Sequence, residues 1–333
     1  MASALSAFAF EKITQRRGMA AHGVAPFVLS TVLVLSPLLI LGVMVSDAIP
    51  APAAPDVSAN LPPCGTPVRT GYRRPGLPGP PGQDRIIITD RDQLALVRGA
   101  RVRLGDILFA DRMPDMTDRD RERIRVAREN GLQAIFADRD LFGCALVPKQ
   151  QAAPDRDRYG RRFVDAVGGG KAFSLRRHMV AEGLALVLPT SSDAGCCAGL
   201  YRAEARARTL KKGIWGTDTP LIRRIDPGTG TVDLPESAFA IVEGWVRSVG
   251  DREREIYLNF GHRWASDFTA TIKKSSFSGT QADLKRLVGL AGKRVRVRGV
   301  ADSWRGGRIA VNDANQLEVL TPSVRLPPAA VGN

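Results

Sequence analysis

Residues 156–167 have the sequence Arg-Asp-Arg-Tyr-Gly-Arg-Arg-Phe-Val-Asp-Ala-Val, in which a polar turn leads directly into an alternating strand. Gly160 provides the backbone freedom that a tight turn needs, and the carboxylate of Asp157 can fold back onto the backbone. The arginines that follow Asp157 are Arg158, Arg161 and Arg162. We expect the turn to hold them at the mouth of the strand, where planar guanidinium groups can bind phosphate. A hairpin with solvated arginines is the alternative.

The composition is compatible with an anionic partner. The chain has 333 residues, a formal net charge of +14 and a sequence pI near 10.3. This length is typical of about two domains. The charge suits nucleic acid or an anionic membrane surface. Most of it comes from arginine, which favours bidentate phosphate contacts but also follows from genome composition alone, so charge is only permissive evidence.

A nearly continuous apolar run at residues 24–46 follows a basic N-terminal segment at 1–23. A run of roughly 20 residues can span a bilayer, whereas a cleaved signal has an apolar core of roughly 7–15 residues. The small residues that follow the run would allow cleavage. We therefore expect a transmembrane anchor or a signal segment with its positive flank inside. The rest of the chain would then face the periplasm or another extracytoplasmic space, or be secreted after cleavage.

All four cysteines follow the apolar run. They are Cys64, Cys144, Cys196 and Cys197. An even number of cysteines in an exported chain indicates disulfides. A zinc site is not indicated, because the sequence has no Cys-x-x-Cys motif and its histidines are scattered. Adjacent cysteines rarely bond to each other, so we expect one of the last two to pair with Cys144 and the other with Cys64.

Composition divides the rest of the chain into two domains. The predicted segments are a Pro/Gly-rich linker at 47–84, a first domain at 85–216, a second linker at 217–237, a second domain at 238–320 and a tail at 321–333. The first domain alternates short strands with helices, including a charged helix at 119–129 that we expect to break near Asn130-Gly131. The second domain has the order strand, strand, strand, helix, strand, strand, which is typical of a five-stranded OB barrel.

Several motifs of the first domain occur in a fixed order. They are Asp-Arg-Asp-Gln-Leu at 90–94, Arg-Val-Arg-Leu at 101–104, Asp-Arg-Tyr-Gly-Arg at 157–161, Met-Val-Ala-Glu-Gly-Leu-Ala-Leu-Val at 179–187, and the run from Ala203 to Trp215 that ends in Gly-Ile-Trp. This set resembles the staphylococcal-nuclease-like (thermonuclease) family over residues 85–216. The resemblance implies a mainly β fold with helices (α+β) built on an OB barrel. It also implies phosphodiester hydrolysis with Ca²⁺, two arginines and a glutamate.

The resemblance assigns catalytic residues position by position. Arg103 and Arg161 match the two phosphate-binding arginines of the family. Asp111 matches the catalytic glutamate and is one methylene shorter. These three residues would stabilise the transition-state charge and position the attacking water.

The metal ligands depart from the family pattern. Asp92 matches the first metal carboxylate, but Arg91 beside it adds a cation, and Leu108 stands where the second carboxylate is expected. Asp106 is close in sequence and would reach the metal only after a local change such as a bulge. Because Ca²⁺ affinity depends on the number of charged oxygens, we expect a degenerate Ca²⁺ site if the protein is active and no cofactor otherwise.

The second domain resembles, more loosely, OB modules that bind single-stranded nucleic acid by base stacking in a basic groove. Its candidate contacts are Trp264, Trp304 and Arg298, while Arg158 and Arg162 are candidates in the first domain. Other aromatic residues of the second domain, Trp245, Tyr257 and Phe260, are better explained as barrel core.

Three hypotheses for function follow. The first is an exported or membrane-anchored thermonuclease-like hydrolase, a phosphodiesterase or endonuclease with weak activity. The second is a catalytically inactive protein that binds DNA, RNA or another polyanion. The third is an envelope module that binds another protein, with the charge being incidental.

Overall fold

The computed structural model describes residues 84–89, 93–146, 155–168, 173–189, 194–263, 265–303 and 306–320. The predicted apolar segment at 24–46 and almost all of the first linker lie outside these ranges, as do Asp92, Trp264 and Trp304. Within the described ranges, no helix is both long enough and apolar enough to cross a membrane.

The first half of the chain forms a closed β-barrel. The strands of this half are β1 (Arg85–Thr89), β2 (Gln93–Leu96), β3 (Arg101–Leu104), β4 (Ile107–Phe109), β5 (Leu141–Ala145), β6 (Arg162–Gly168), β7 (Phe173–Ser174) and β8 (Ala185–Val187). β4 and β8 pair with each other in a separate two-stranded sheet. β1 pairs with β2 and β5, β2 with β3, β5 with β6, and β6 runs parallel to β3. The β3–β6 pairing closes the ring, as the predicted OB barrel requires.

Alternation within β3 places the arginines of interest. Val102 and Leu104 are buried in the barrel core, and Arg101 and Arg103 therefore project from the opposite face of the strand. Because β6 lies next to β3, the turn that precedes β6 is brought beside Arg103. The motif at 157–161 and the motif at 101–104 thus meet at one edge of the barrel.

Three helices cover the first barrel: α1 (Asp118–Asp138), α2 (Leu175–Ala181) and α3 (Ala194–Thr209). The predicted break of the first helix near Asn130-Gly131 is wrong, because α1 continues through both residues. Ile124, Leu132 and Ile135 of α1 are buried in the protein interior. This packing outweighs the weak helix propensity of asparagine and glycine.

The cysteines differ in part from the predicted pairing. Cys144 in β5 is disulfide-bonded, and its partner lies outside the described side chains. Cys197 is a fully buried thiol in α3, so the prediction that all four cysteines pair is wrong for this residue. Consecutive residues of an α-helix point about 100° apart, and Cys197 occupies the side of α3 that faces the interior.

The second half of the chain forms another OB barrel, as predicted. Its elements are β9 (Ile222–Arg224), β10 (Ala238–Trp245), β11 (Ser248–Asp251), β12 (Glu255–Asn259), β13 (Thr269–Lys273), α4 (Gln281–Val288), β14 (Arg294–Asp302), β15 (Arg308–Ala310) and β16 (Leu317–Leu320). β10 and β11 follow each other closely in the chain and act as two halves of one strand. Because β10 pairs with β14 and β11 pairs with β12, these two halves join both sides of the ring. β9, within the segment predicted as a linker, extends the sheet beside β10.

The two barrels share an apolar cluster. Its buried members are Ala110, Met113, Met116, Ile124, Leu186 and Ile214 from the first barrel, with Leu221, Phe239 and Ile241 from the second half. Leu108 and Trp215 are partly buried against it. The loop between β4 and α1 is therefore held between the barrels.

Arg298 of β14 is the polar centre of this contact. Its side chain is fully buried, and its two terminal nitrogens donate to both carboxylate oxygens of Glu204 in α3, each at 3.1 Å. Nη1 also donates to the carbonyl oxygen of Val187 at 3.0 Å, and Nη2 pairs with Glu318. The guanidinium lies 4.6 Å from the ring centroid of Tyr201. The expectation that Arg298 contacts nucleic acid is corrected by this burial: the side chain joins the barrels.

We expect Arg298→Met to destabilise the protein by about 3–5 kcal/mol, because removing one member of a buried ion pair leaves uncompensated charge on Glu204. The matched control is Arg308→Met in the same barrel, whose partner Asp302 lies at 2.8 Å in a partly exposed pair. That substitution should cost less than about 1 kcal/mol. Urea unfolding measures both, and equal losses would contradict the anchoring role of Arg298.

Gly183 ends α2 with φ +66°, and a Cβ there would lie 2.1 Å from the carbonyl oxygen of Lys212. We expect Gly183→Ala to destabilise the protein by more than about 1 kcal/mol, through backbone strain and this clash. Gly199→Ala is the control, because a Cβ on this helical glycine meets nothing within 4 Å. It should stabilise by about 0.5–1 kcal/mol, as alanine does in a helix. Opposite shifts of the urea midpoint are the expected result.

Candidate functional site

The turn at 157–161 is organised by one carboxylate. Oδ1 of Asp157 accepts hydrogen bonds from the backbone nitrogens of Tyr159 at 2.9 Å and Arg161 at 3.0 Å. Gly160 has φ +74°, and its backbone nitrogen donates to the carbonyl oxygen of Asp157 at 2.9 Å. The backbone fold predicted for this turn is confirmed.

Two arginines converge on the other oxygen of the same carboxylate. Arg161 donates from Nε to Oδ2 of Asp157 at 2.8 Å, and its Nη2 lies 2.6 Å from that oxygen. Arg103 approaches from β3, with Nη1 3.8 Å from Oδ2. The guanidinium of Arg103 also lies 5.8 Å from the ring centroid of Phe163. The two arginines predicted to bind phosphate are thus neighbours in the folded protein.

The charges of Asp157, Arg161 and Arg103 together make this site electropositive. Burial acts to raise the pKa of Asp157, but hydrogen bonds from the side chain and backbone of Arg161 and the backbone of Tyr159 outweigh it and hold the pKa low. Burial lowers the pKa of Arg103, and so does the positive charge of Arg161. Arginine nevertheless stays protonated in proteins. Two cations therefore share one carboxylate, and an anion beside them would relieve their repulsion.

These arginines line a cleft of about 140 Å³. Its lining arginines are Arg103, Arg112, Arg128 and Arg161, and its other lining residues include Gln93, Leu108 and Phe109. Among the residues that the structure describes, no acidic side chain lines it. We call this space the arginine cleft.

A wider hollow of about 500 Å³ adjoins the arginine cleft and shares Gln93 and Arg161 with it. Its lining adds Arg101, Arg156 and Tyr159. Tyr159 is 66% exposed, and the guanidinium groups of Arg158 and Arg161 lie 4.9 and 5.3 Å from the centroid of its ring. The cleft and the hollow together give a basic surface with one accessible aromatic ring.

The expected metal ligands do not assemble. Leu108 pairs with Leu186 across β4 and β8 and packs at the interface of the barrels. Asp106 is fully buried, and its carboxylate accepts from Nη1 of Arg176 at 2.7 Å. Asp92 lies outside the described residues. Over the described ranges, no three Asp, Glu, His or Cys side chains come together as a metal site.

Asp111, expected to act on the attacking water, is held in an ion pair. Its Oδ1 lies 3.2 Å from Nε of Arg128, and its Oδ2 accepts from Nη2 of Arg128 at 3.4 Å. The guanidinium of Arg128 also lies 4.9 Å from the ring centroid of Phe109. With Leu108 apolar and Asp106 bound to Arg176, the described side chains at this site do not fit Ca²⁺, which needs several oxygen ligands.

The remaining predicted contacts lie outside the arginine cleft. Arg158 is exposed and donates to the hydroxyl of Tyr159 at 2.8 Å. Arg162 has a largely buried side chain, with Nε 3.8 Å from Oδ2 of Asp155. Trp264 and Trp304 fall outside the described ranges, so their proposed stacking role stays a prediction.

Sequence reasoning missed two arginines of the cleft. Arg128 lies four residues after Ile124 and four before Leu132, on the buried side of α1. An arginine in this apolar stripe is a signal that could have been used, because residues four apart share a helix face. Arg112 follows Asp111 directly, and only the fold shows that it lines the cleft.

Comparison with known proteins gives one family match. Residues 136–217 match the family described as "Staphylococcal nuclease homologue". No curated protein matches the chain. Solved structures that resemble part of it include "OBody AM1L10 bound to hen egg-white lysozyme", at 18% identity over 26% of this chain and 83% of that chain, with a TM-score of 0.21. A second, "OBody AM3L15 bound to hen egg-white lysozyme", is 17% identical over 26% of this chain and 85% of that chain, also at 0.21.

The family match includes β5, the turn at 157–161, β6, α2 and α3, while Arg103 and Asp111 precede it. The β3–β6 pairing places those two residues on the same barrel as the matched region. The chain thus contains a staphylococcal-nuclease-like domain, which supports a nuclease-like or nucleic-acid-binding function.

Proposed function

We propose that the protein binds nucleic acid, or another polyanion of phosphate esters, at the arginine cleft and hydrolyses it weakly or not at all. The observation that carries the proposal is the convergence of Arg103 and Arg161 on one oxygen of Asp157. Guanidinium groups held in this way can donate paired hydrogen bonds to a phosphate without first losing side-chain freedom.

The surroundings of the cleft support a chain-like ligand. The adjoining hollow continues the basic surface past Arg101 and Arg156. The exposed ring of Tyr159 offers a face on which a base can stack, as aromatic residues do in proteins that bind single strands. The net charge of +14 favours association with a polyanion at low salt.

Hydrolysis is the second candidate function, favoured by the family match and by the retained arginine pair. Cleavage needs a group that activates water as well as groups that stabilise charge. The aspartate expected in the first role is paired with Arg128, and Leu108 replaces a metal carboxylate. Binding is therefore better supported than cleavage.

We propose that this activity takes place outside the cytoplasm, with the chain anchored by, or exported through, the segment at 24–46. The apolar run and its basic flank support this location, and so does the disulfide at Cys144, because disulfides persist in oxidising compartments. The location can be tested by adding protease to cells. The protein should resist the protease in intact cells and should be degraded once the outer envelope is opened.

For binding, we expect Arg161→Ala to weaken the affinity of the full-length protein for short fluorescent single-stranded DNA by about tenfold or more at low salt. The substitution removes a charge-assisted contact worth roughly 1.5–3 kcal/mol. Arg119→Ala is the matched control, because this exposed arginine of α1 lines a different hollow. Fluorescence anisotropy across a salt titration measures both. Undetectable binding by the wild-type protein at low salt would contradict the proposed function.

For cleavage, we expect no stimulation by Ca²⁺ or Mn²⁺ relative to EDTA, because the described residues offer no set of oxygen ligands for a hard cation. The measurement is release of fragments from labelled single- and double-stranded DNA and RNA. Metal-stimulated cleavage that disappears in Arg161→Ala would instead establish the hydrolase.

A further inference from the structure

We infer that the arginine cleft binds a phosphate group of the nucleic-acid backbone directly, through Arg103, Arg161 and a third guanidinium, Arg112, with no bridging divalent cation. This inference rests on the proposed function and adds to it the identity of a further binding residue and the independence from metal.

Arg112 lies at the end of a short 3-10 turn, Ala110–Arg112, and is exposed on the side of the arginine cleft. Arg103 lines the same cleft, and the positive charge of Arg112 contributes to lowering its pKa. The two guanidinium groups therefore lie within electrostatic reach of each other. A third cation beside the pair at Asp157 increases the attraction for an anion and the repulsion of a metal ion.

The backbone that carries Arg112 is held on both sides. Arg121 of α1 donates from Nη1 to the carbonyl oxygens of Asp111 at 2.7 Å and Met113 at 3.0 Å. The backbone nitrogen of Ala110 donates to the carbonyl oxygen of Leu184 at 2.9 Å. Ala110 and Met113 are also buried between the barrels. Arg112 thus projects from a fixed base, so less freedom is lost when it meets a ligand.

Two acids that the structure describes near the cleft, Asp157 and Asp111, are already paired with cleft arginines. Asp157 contacts Arg161 and Arg103, and Asp111 contacts Arg128. Because Arg128 holds Asp111, this carboxylate does not project into the cleft as an isolated negative charge. In the family a cation would balance the phosphate at this place, whereas here guanidinium groups supply the positive charge.

The cleft and the hollow differ in their lining. Four arginines line the cleft, whereas the hollow carries the exposed Tyr159. Guanidinium groups favour charge-assisted contacts with phosphate, and an exposed aromatic residue favours base stacking. We therefore expect the cleft to take the backbone phosphate and the bases of a bound strand to lie in the adjoining hollow near Tyr159.

The test uses full-length protein and short fluorescent single-stranded DNA, with affinity measured in EDTA and in Ca²⁺. The affinity should agree within about twofold between the two conditions, since no cation bridges the phosphate. Arg112→Gln should weaken binding by about tenfold, the loss expected for one charge-assisted contact, and Arg119→Gln should change it by less than about twofold. Thermal unfolding of Arg112→Gln should match the wild type, because the side chain is exposed.

Competition by inorganic phosphate and by DNA with and without a 5′-phosphate distinguishes the source of the group. Equal affinity for both DNAs, with weak competition by phosphate, supports a backbone phosphodiester. Strong preference for the 5′-phosphorylated strand would overturn that assignment in favour of a terminal monoester.

Three other results would overturn the inference. The first is binding that requires Ca²⁺. The second is an unchanged affinity in Arg112→Gln while Arg161→Ala still loses affinity, which would leave the proposed function standing. The third is an equal loss in Arg119→Gln, which would indicate a general charge effect. Failure of the wild-type protein to bind any of the strands would instead refute the proposed function itself.

Discussion

The carboxylate of Asp157 is the interaction on which the site depends. One oxygen fixes the backbone of the turn at Tyr159 and Arg161, and the other attracts the side chains of Arg161 and Arg103. The contacts with Tyr159 and Arg161 are local in sequence, whereas Arg103 is distant in sequence and reaches Asp157 through the parallel pairing of β3 and β6. The Asp157 side chain therefore holds the guanidinium groups of Arg161 and Arg103 close together before any ligand binds.

Leu108 lines the arginine cleft and also packs at the contact between the barrels. Its side chain is partly buried against the apolar cluster that contains Phe239 and Ile241 of β10. A carboxylate at this position would sit beside the joined barrels, where burial of an unpaired charge is unfavourable. The apolar residue suits the contact between the barrels, and it lines the cleft without offering an oxygen ligand.

The parts of the structure that sequence predicted are those set by local or periodic patterns. The turn at Asp157 and Gly160 follows from side-chain chemistry within five residues, and the second OB barrel follows from the order of its strands. The first OB barrel is implied by the resemblance of its ordered motifs to a known family. The failures involve partners that only the fold brings together. The sequence predicts that Arg298 contacts nucleic acid, yet its side chain meets Glu204, which is 94 residues away in the chain. Residue spacing alone contains no information about such a partner.

The buried arginines also show how the barrels act on the cleft. Arg298 donates to the carbonyl oxygen of Val187 at the end of β8, and β8 pairs with β4, which carries Leu108. The 3-10 turn that bears Arg112 follows β4 directly. A chain of hydrogen bonds therefore runs from the second barrel to the edge of the cleft. The contact with the second barrel therefore helps to hold the backbone that bears Arg112, so the proposed phosphate site depends on both barrels.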